Sequence, residues 1–202
     1  MIIVDIKQGS EEWIKEKLGK PSASNISKIL TNAGKPSKQR EGYLYELVAE
    51  RLTGRREESY KNANMEMGNE REEESRSMFE LLQDASIEQV GVVYKDEKKE
   101  FLCSPDGIVP KQKYGLELKN VLPKTQVKYL LNGKLPSEYF GQCQSSLYVT
   151  GFDHWMFMSF CPGLKPLIIM VEPDKEYINA LKVELEIFIE ELNQITEKLR
   201  GE

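Results

Sequence analysis

The segment Gly115-Leu-Glu-Leu-Lys119 places a carboxylate and an ammonium group two positions apart. Alternate side chains of a β-strand share a face, so Glu117 and Lys119 are expected on one side of a strand and Leu116 and Leu118 on the other. Taken alone, this pattern is typical of a half-buried strand with a solvated charged face. It indicates chemistry only if a second acidic group lies beside it.

A second acidic group is present in the turn-like segment Cys103-Ser-Pro-Asp-Gly107. Proline, aspartate and glycine are common turn residues, and a turn alone would explain them. However, Asp106 is predicted to close one strand while Glu117 lies on the next, so a hairpin would bring the two carboxylates together. Such a pair can hold a divalent cation, which binds phosphate oxygens and lowers the pKa of a water molecule. Lys119 could then orient or activate that water, or neutralise charge in the transition state.

Glu72 is a third acidic candidate, on a helix predicted from Met65 to Leu82. Three- and four-residue spacing defines an inward stripe on this helix, made of Gly68, Glu72, Ser75, Phe79 and Leu82. Its neighbours Glu70, Glu73 and Glu74 point away from the stripe. A carboxylate on an inward face needs a partner, which a metal site would supply and for which a buried arginine is the alternative.

Two glutamines, Gln142 and Gln144, lie on a helix predicted over residues 137–149. Glutamines on a helix usually have no catalytic meaning. They become relevant here only if this helix packs beside the carboxylates.

Capping and turn signals predict the elements that position these residues. Ser10 is expected to cap a first helix that Gly19 ends, and a short second helix begins at Ser22 or Ser24. Further helices are predicted at 41–52, 65–82, 123–131, 137–149 and 174–199, and strands at 87–94, 100–104, 115–121, 154–160 and 167–171. This order predicts an α/β fold, a mixed sheet flanked by helices, with N-terminal helices and a long C-terminal helix in a single domain over 1–202.

Composition restricts the class of protein. Of the 202 residues, 40% are hydrophobic and 30% are charged, which is typical of a globular domain. No apolar run approaches the roughly 20 residues that span a bilayer, and the N-terminus lacks the regions of a signal peptide. The formal net charge of -5 counts mildly against nucleic-acid binding, although a basic groove can coexist with an acidic outer surface.

Cysteine and histidine content restricts the metal chemistry. The three cysteines are unevenly spaced and include no CxxC pair, which argues against a disulfide framework and fits a reducing cytoplasm. His154 is the single histidine, so one chain cannot build a multi-histidine metal site. Oxygen ligands must dominate, and these favour Mg²⁺ or Mn²⁺ over Zn²⁺.

Together the segments resemble the PD-(D/E)XK nucleases, and more closely the family of the bacteriophage lambda exonuclease and the YqaJ-type viral recombinases. The resemblance runs from about Gln8 to Val171 and consists of four blocks in the family's order. They are Gln8-Gly-Ser-Glu-Glu-Trp13 with Lys17-Leu-Gly19 and Ala23-Ser24; Gly68-Asn-Glu-Arg-Glu72 with Phe79-Glu80; Ser104-Pro-Asp-Gly107 with Gly115-Leu-Glu-Leu-Lys119; and Tyr139, Gln142, Gln144 and Val149-Thr150. Each block is weak alone, but the ordered set is specific. It implies a restriction-endonuclease-like core.

The resemblance implies roles at the catalytic centre. Asp106 and Glu117 match the metal-binding carboxylates of the family, and the backbone carbonyl of Leu118 would complete the coordination. Lys119 matches the lysine that serves the attacking water. The implied cofactor is Mg²⁺, with Mn²⁺ as the alternative and two ions in each active site.

The resemblance also implies supporting residues. Glu72 matches the helical glutamate that supports the metal site, and Gln142 matches the helical glutamine beside the active centre. Ser24 and Ser104 match contacts for the terminal 5′-phosphate. Lys17 stands where the lambda-type enzyme has a phosphate-binding arginine, and lysine keeps the charge but lacks the bidentate fork. Phosphate recognition would then be weaker, or would use a neighbouring residue.

The activity implied by the resemblance is 5′-to-3′ digestion of one strand of linear duplex DNA. The 3′ overhang that remains would serve a single-strand annealing protein, in the cytoplasm of a bacterium that carries a phage or prophage. Family members form a ring-shaped homotrimer around DNA. A ring with lysines on its inner face would reconcile DNA binding with the net charge of -5.

Three alternatives remain open from the sequence. One is an endonuclease of the same fold, either structure-specific or restriction-like. Another is a catalytically inactive DNA-binding recombination scaffold, against which the intact Asp, Glu and Lys set argues. The third is an acidic protein-interaction module, which would need only the C-terminal helix. An iron–sulfur nuclease is disfavoured because the cysteine cluster is missing.

Overall fold

Two small sheets and a set of helices make up residues 1–56 and 71–201, the part of the chain that the computed structural model describes. The strands are β1 (Ile2–Val4), β2 (Val92–Tyr94), β3 (Leu102–Cys103), β4 (Gly107–Val109), β5 (Tyr114–Asn120), β6 (His154–Phe160) and β7 (Leu167–Val171). The α-helices are α1 (Glu11–Lys17), α2 (Arg40–Thr53), α3 (Glu72–Gln83), α4 (Pro123–Asn132), α5 (Ser137–Thr150) and α6 (Lys175–Arg200), and two 3₁₀ helices span Ala23–Lys28 and Pro110–Gln112. The predicted α/β class and the long C-terminal helix are confirmed. Of the helix predicted over 65–82, the part before Arg71 lies outside the described residues.

The strands form two sheets rather than one. In the first, β1, β2 and β3 pair antiparallel. The second has the order β4-β5-β6-β7, in which β5 and β6 are parallel and the other neighbours are antiparallel. Parallel strands need a long crossover, which α4 and α5 supply. The strand that carries Glu117 and Lys119 therefore lies inside the second sheet, with a neighbour on each side.

The chain passes from the first sheet to the second at a corner around Pro105. The prediction that Asp106 closes the strand at 100–104 is wrong, because β3 ends at Cys103 and Asp106 directly precedes β4. Proline has no backbone N–H with which to continue a ladder, so the strand ends and a new one begins. The expected hairpin that joins the two carboxylates exists, but it is formed by β4 and β5.

Helix α5 is the central packing element, since it contacts the 3₁₀ helix Ala23–Lys28, α6 and strands of both sheets. The close approach depends on Gly141. A Cβ atom there would lie 2.8 Å from the Tyr177 hydroxyl and 3.1 Å from Cγ2 of Ile26. Any side chain at this position would push α5 away from both neighbours, and with it the face that α5 presents to the second sheet.

The helix ends follow the local signals in the sequence. The Ser10 side chain accepts a hydrogen bond from the Trp13 N–H, so the predicted cap of α1 is confirmed. The Asp174 side chain caps α6 in the same way, through the Tyr177 N–H. The short helix predicted to begin at Ser22 or Ser24 is a 3₁₀ helix rather than an α-helix. None of the helices in the described ranges is long and apolar enough to cross a membrane.

Candidate active site

The β4–β5 hairpin fixes Asp106 directly against the strand that carries Glu117. The Asp106 N–H donates to the Leu116 carbonyl at 3.0 Å, and the Leu118 N–H donates to Oδ2 of Asp106 at 2.6 Å. Asp106 is thus bonded to both neighbours of Glu117. Backbone hydrogen bonds therefore bring the two predicted metal-binding carboxylates together, with the Leu118 peptide next to Asp106.

Glu117 and Lys119 share a face of β5, as their spacing predicts. Nζ of Lys119 lies 2.5 Å from Oε1 of Glu117. On the opposite face, Leu116 and Leu118 pack in a buried apolar cluster with Phe79. Glu117 itself is only 2% exposed, so this strand does not present a solvated charged face. Burial of a carboxylate costs free energy, so a side chain buried this deeply needs a charged or hydrogen-bonding partner or is retained for a function.

Strand β5 can hold this position because Gly115 has no side chain. A Cβ atom at Gly115 would collide with the ring of Trp155 on the parallel neighbour β6. Trp155 is fully buried, so its ring sets the spacing between β5 and β6 at Gly115. The glycine of the Gly-Leu-Glu-Leu-Lys segment is therefore a packing requirement of the carboxylate strand.

The electrostatics of the pair are those of a site with excess negative charge. Burial, followed by repulsion from Glu117, raises the pKa of Asp106 to about 8. Burial alone would lower the pKa of Lys119, but the carboxylates of Glu117 and Asp106 outweigh it and raise that pKa above its ordinary value. Lys119 is therefore a firmly held ammonium that compensates only part of the acidic charge.

Glu72 lies at the start of α3, and its partner is an arginine. Arg76 contacts Oε1 of Glu72 at 2.5 Å, and its Nε donates to the backbone carbonyl of Asp106 at 3.4 Å. The amide of Gln89 also contacts this guanidinium. Of the two partners foreseen for an inward Glu72, the structure contains the arginine, which links Glu72 to the backbone of Asp106. A metal-supporting role for Glu72 stays a prediction.

The inward stripe predicted on this helix is confirmed only in part. Ser75 and Phe79 are fully buried. Leu82 is 48% exposed, so its predicted inward position is wrong, because α3 ends one residue later and its last turn runs past the sheet. Gly68 lies outside the described residues.

Helix α5 lines the other side of the site. The ring centroid of Tyr139 lies 5.3 Å from Nζ of Lys119, and one turn later Cys143 is buried close enough to Glu117 that burial and then that carboxylate raise the pKa of its thiol. Gln142 is half-buried and follows Tyr139 by three positions on this helix. Gln144 instead caps the chain before α6, through the Glu172 carbonyl and the Asp174 N–H. Of the two glutamines, only Gln142 remains a site candidate.

Trp13 links two of the predicted phosphate-binding residues. Nζ of Lys17 lies 3.7 Å from the centroid of the Trp13 ring, and the indole N–H donates to Oγ of Ser104 at 3.2 Å. Ser104 precedes Asp106 by two residues. The side of the site toward α1 therefore carries a cation and a hydroxyl that one aromatic ring holds together.

Ser24 lies further out, on the exposed side of the 3₁₀ helix. Its hydroxyl is 3.1 Å from the hydroxyl of Ser22, and the backbone of buried Ser22 bridges to Leu102 of β3. Ser22 and Lys17 line a common cleft. Ser24 therefore adjoins the group formed by Lys17 and Ser104 through Ser22.

The donor set of the site fits a hard divalent cation. The carboxylates of Asp106 and Glu117 and the main-chain carbonyl of Leu118 are oxygen ligands, and Mg²⁺ is commonly bound by one or two carboxylates with water completing its shell. Within residues 1–56 and 71–201, no group of three histidine, cysteine, aspartate or glutamate side chains is arranged to hold a metal. Any ion here would depend on the Asp106–Glu117 pair.

The model of the YqaJ-like viral recombinase domain matches residues 12–153. The chain belongs to this family. Every residue with a predicted site role lies within the matched range, so the YqaJ-like domain contains the whole candidate site. A search of the curated proteins gave no match.

Solved structures similar to this chain include nucleases. The alkaline exonuclease LHK-Exo from Laribacter hongkongensis has 28% sequence identity and a TM-score of 0.85, with 95% of this chain and 97% of that chain covered. LHK-Exo in complex with dAMP gives 29% identity with the same TM-score and coverage. A phage related exonuclease from Haemophilus somnus 129PT shares the fold at 15% identity and a TM-score of 0.68, over 89% of this chain and 96% of that chain. The YqaJ-like family and the likeness to LHK-Exo together support a phage-type exonuclease.

Proposed function

We propose that this protein is a Mg²⁺-dependent exonuclease that digests one strand of linear duplex DNA from the 5′ end and leaves a 3′ single-stranded overhang. The observation that carries the proposal is the pairing of half-buried Asp106 with buried Glu117, with Lys119 at 2.5 Å from Glu117 and the Leu118 peptide bonded to Asp106. Family membership and the likeness to an alkaline exonuclease support the same reaction class.

The side chains of the site divide the hydrolytic work. Asp106 and Glu117 would hold Mg²⁺, or Mn²⁺ in its place, with two ions in each active site. Bound metal would supply Lewis-acid polarisation of the scissile phosphate and a water molecule of lowered pKa. Lys119, fixed by Glu117 and shielded by the Tyr139 ring, orients the attacking water and offsets the negative charge that develops on the phosphate.

Supporting residues keep this geometry. Arg76 joins Glu72 to the Asp106 backbone, so Glu72 supports the metal-binding aspartate from helix α3. We expect Gln142 on α5 to contact the substrate or its bound water on the opposite side. Excluding bulk water from such a pocket strengthens each electrostatic interaction within it.

The 5′ polarity rests on the residues around Trp13. Lys17 and Ser104 contact its ring and its N–H respectively, and Ser24 adjoins them. A cation with hydroxyl donors suits a terminal phosphate. LHK-Exo has been crystallised with dAMP, a mononucleotide of the kind that an exonuclease releases, which supports end-directed digestion here.

The biological setting follows from the same proposal. The product overhang would be the substrate of a single-strand annealing protein, in a bacterial cytoplasm where the gene belongs to a phage or prophage. We expect one nuclease domain over residues 1–202 and a homotrimeric ring whose inner face carries the basic residues that a chain of net charge -5 must concentrate near DNA.

Digestion of end-labelled linear duplex tests the function. With Mg²⁺, a 5′ end label should be released first as a mononucleotide while a 3′ end label should stay on a progressively shortened strand, whereas EDTA should stop the reaction. Closed circular duplex should resist digestion. Cleavage of that circle would instead identify an endonuclease of the same fold, and absence of any Mg²⁺-dependent cleavage would leave the inactive scaffold.

A further inference from the structure

A narrow surface cleft lies beside the predicted phosphate-binding residues, between α1, the 3₁₀ helix Ala23–Lys28 and α2. It is lined by cationic, polar and acidic groups and two apolar surfaces: Lys17, Lys20, Ser22, Asn25, Tyr43, Glu46, Leu47, Glu50 and Arg56. Arg56 follows the end of α2 and is far from Lys17 in sequence. The fold nevertheless brings their side chains to one cavity, which no spacing pattern in the sequence indicates.

Glu50 is a buried carboxylate that contacts two parts of this cleft. It is only 5% exposed, and its two oxygens have different partners: Oε2 accepts from the Gly19 N–H at 2.8 Å, and Oε1 lies 3.4 Å from Nε of Arg56. Gly19 belongs to the turn directly after Lys17. One buried carboxylate therefore fixes both the turn behind Lys17 and the stem of the Arg56 guanidinium.

The remaining charge in the cleft is positive and incompletely compensated. Among the described residues Lys17 forms no ion pair, and its ammonium rests on the Trp13 ring. Burial, followed by repulsion from Arg56, lowers the pKa of Lys17 to about 8. Two cations that repel each other in a half-enclosed cleft, with the Ser22 hydroxyl beside them, form a site for an anion.

The same cation lies toward the catalytic carboxylates. Asp106 and Glu117 are near enough to Lys17 to raise the pKa of its ammonium, against the effect of Arg56, and Lys17 also lines the cleft. An anion bound by Lys17 and Arg56 would lie near the hydrolytic centre. An exonuclease that starts at one end of a DNA strand must bind that end there.

We propose that Arg56 supplies the guanidinium that grips the terminal 5′-phosphate, with Lys17 as the second cation and Glu50 as their positioning residue. This inference rests on the proposed exonuclease function. Arg56 would supply a planar fork that can recognise two phosphate oxygens, and Lys17 would add a point charge beside it.

The decisive measurement is the ratio of kcat/KM for 5′-phosphorylated over 5′-hydroxyl linear duplex. Arg56→Ala should lower this ratio by about 10- to 100-fold, the effect of a lost charge-assisted bidentate contact. Arg56→Lys should fall in between, since it keeps the charge but not the fork. Arg55→Ala, which removes the exposed arginine next to it, is the matched control and should keep the wild-type ratio. A wild-type ratio in Arg56→Ala would overturn the inference.

Glu50→Gln tests the positioning role. Glutamine can still accept the Gly19 N–H but loses the ion pair with Arg56, so the ratio should fall while the melting temperature stays within a few degrees of the wild type. A wild-type ratio in this variant would contradict the role of Glu50.

A binding assay separates failure of this inference from failure of the proposed function. In EDTA, the wild-type protein should bind a 5′-phosphorylated dinucleotide more tightly than its 5′-hydroxyl form, and Arg56→Ala should remove the difference. If the wild type shows this preference but digests no linear duplex, the exonuclease proposal fails and the phosphate site stands. If the wild type digests linear duplex but shows no preference in either assay, the phosphate site fails alone.

Discussion

Replacing Asp106 by asparagine should stabilise the metal-free protein at alkaline pH. The pKa of this carboxyl is raised by burial and by Glu117 from an ordinary 3.8 to about 8. The unfolded chain therefore releases the proton near pH 4 while the folded protein keeps it until about pH 8, so this group makes folding less favourable as the pH rises through that range. Asparagine removes the charge, and its side-chain oxygen can still accept the Leu118 N–H.

The magnitude follows from the size of that pKa change. At about 1.4 kcal/mol for each pKa unit, full ionisation at pH 9 would cost on the order of 6 kcal/mol. Water entry and movement of Lys119 in this half-buried site reduce the cost, so we expect Asp106→Asn to gain ~2–4 kcal/mol over the wild type at pH 9 and under about 1 kcal/mol at pH 5. Urea unfolding in EDTA at the two pH values measures both differences.

Added Mg²⁺ should make the wild type more stable than Asp106→Asn. A ligand that binds only the folded state stabilises it, so the wild type should gain stability with Mg²⁺ while Asp106→Asn should gain little. Asp84→Asn is the matched control: Asp84 is exposed in the left-handed position that ends α3, which asparagine also tolerates, and its effect should stay within about 0.5 kcal/mol. A destabilised Asp106→Asn variant at both pH values, or equal stabilisation of variant and wild type by Mg²⁺, would refute the reasoning.

Two other substitutions test the remaining parts of the site. Lys119→Gln should lower kcat by about 10²- to 10⁴-fold in single-turnover digestion, because it removes the group that serves the attacking water, while DNA binding in Ca²⁺ changes little; a variant within threefold of wild-type kcat would remove Lys119 from the mechanism. Arg76→Gln breaks the link between Glu72 and the Asp106 backbone, so the Mg²⁺ concentration for half-maximal rate should rise several-fold; an unaltered Mg²⁺ dependence would leave Arg76 with a structural role only.

The sequence predicted the strand of Glu117 and Lys119 well because its signals are local. Alternation along β5 correctly separated Glu117 and Lys119 from the leucines, and a hairpin next to Asp106 correctly predicted that the carboxylates meet. The error was the strand to which Asp106 belongs. Pairing partners depend on the path of the whole chain, and nothing near Pro105 indicates that the strand before it joins a different sheet from the one after it.

Contacts between distant segments could not be predicted. The ion pair of Arg76 with Glu72 joins residues four apart on one helix, whereas the bond from Arg76 to the Asp106 backbone arises only when α3 packs on the sheet. Arg56 and Glu50 likewise reach the cleft beside Lys17 only because α2 packs against the turn after Lys17. Tyr139 carried no predicted role. The spacing places it one turn before Cys143 on α5, but its contact with Lys119 follows only from the packing of that helix against β5.

The most direct test of the central claim is digestion of a linear duplex labelled at one 5′ end or one 3′ end, in Mg²⁺ and in EDTA, by the wild type and by Asp106→Asn. We predict early release of the 5′ label as a mononucleotide, slow loss of the 3′ label, and no reaction in EDTA or with the variant. Early release of the 3′ label, or undiminished digestion by Asp106→Asn in Mg²⁺, would contradict it.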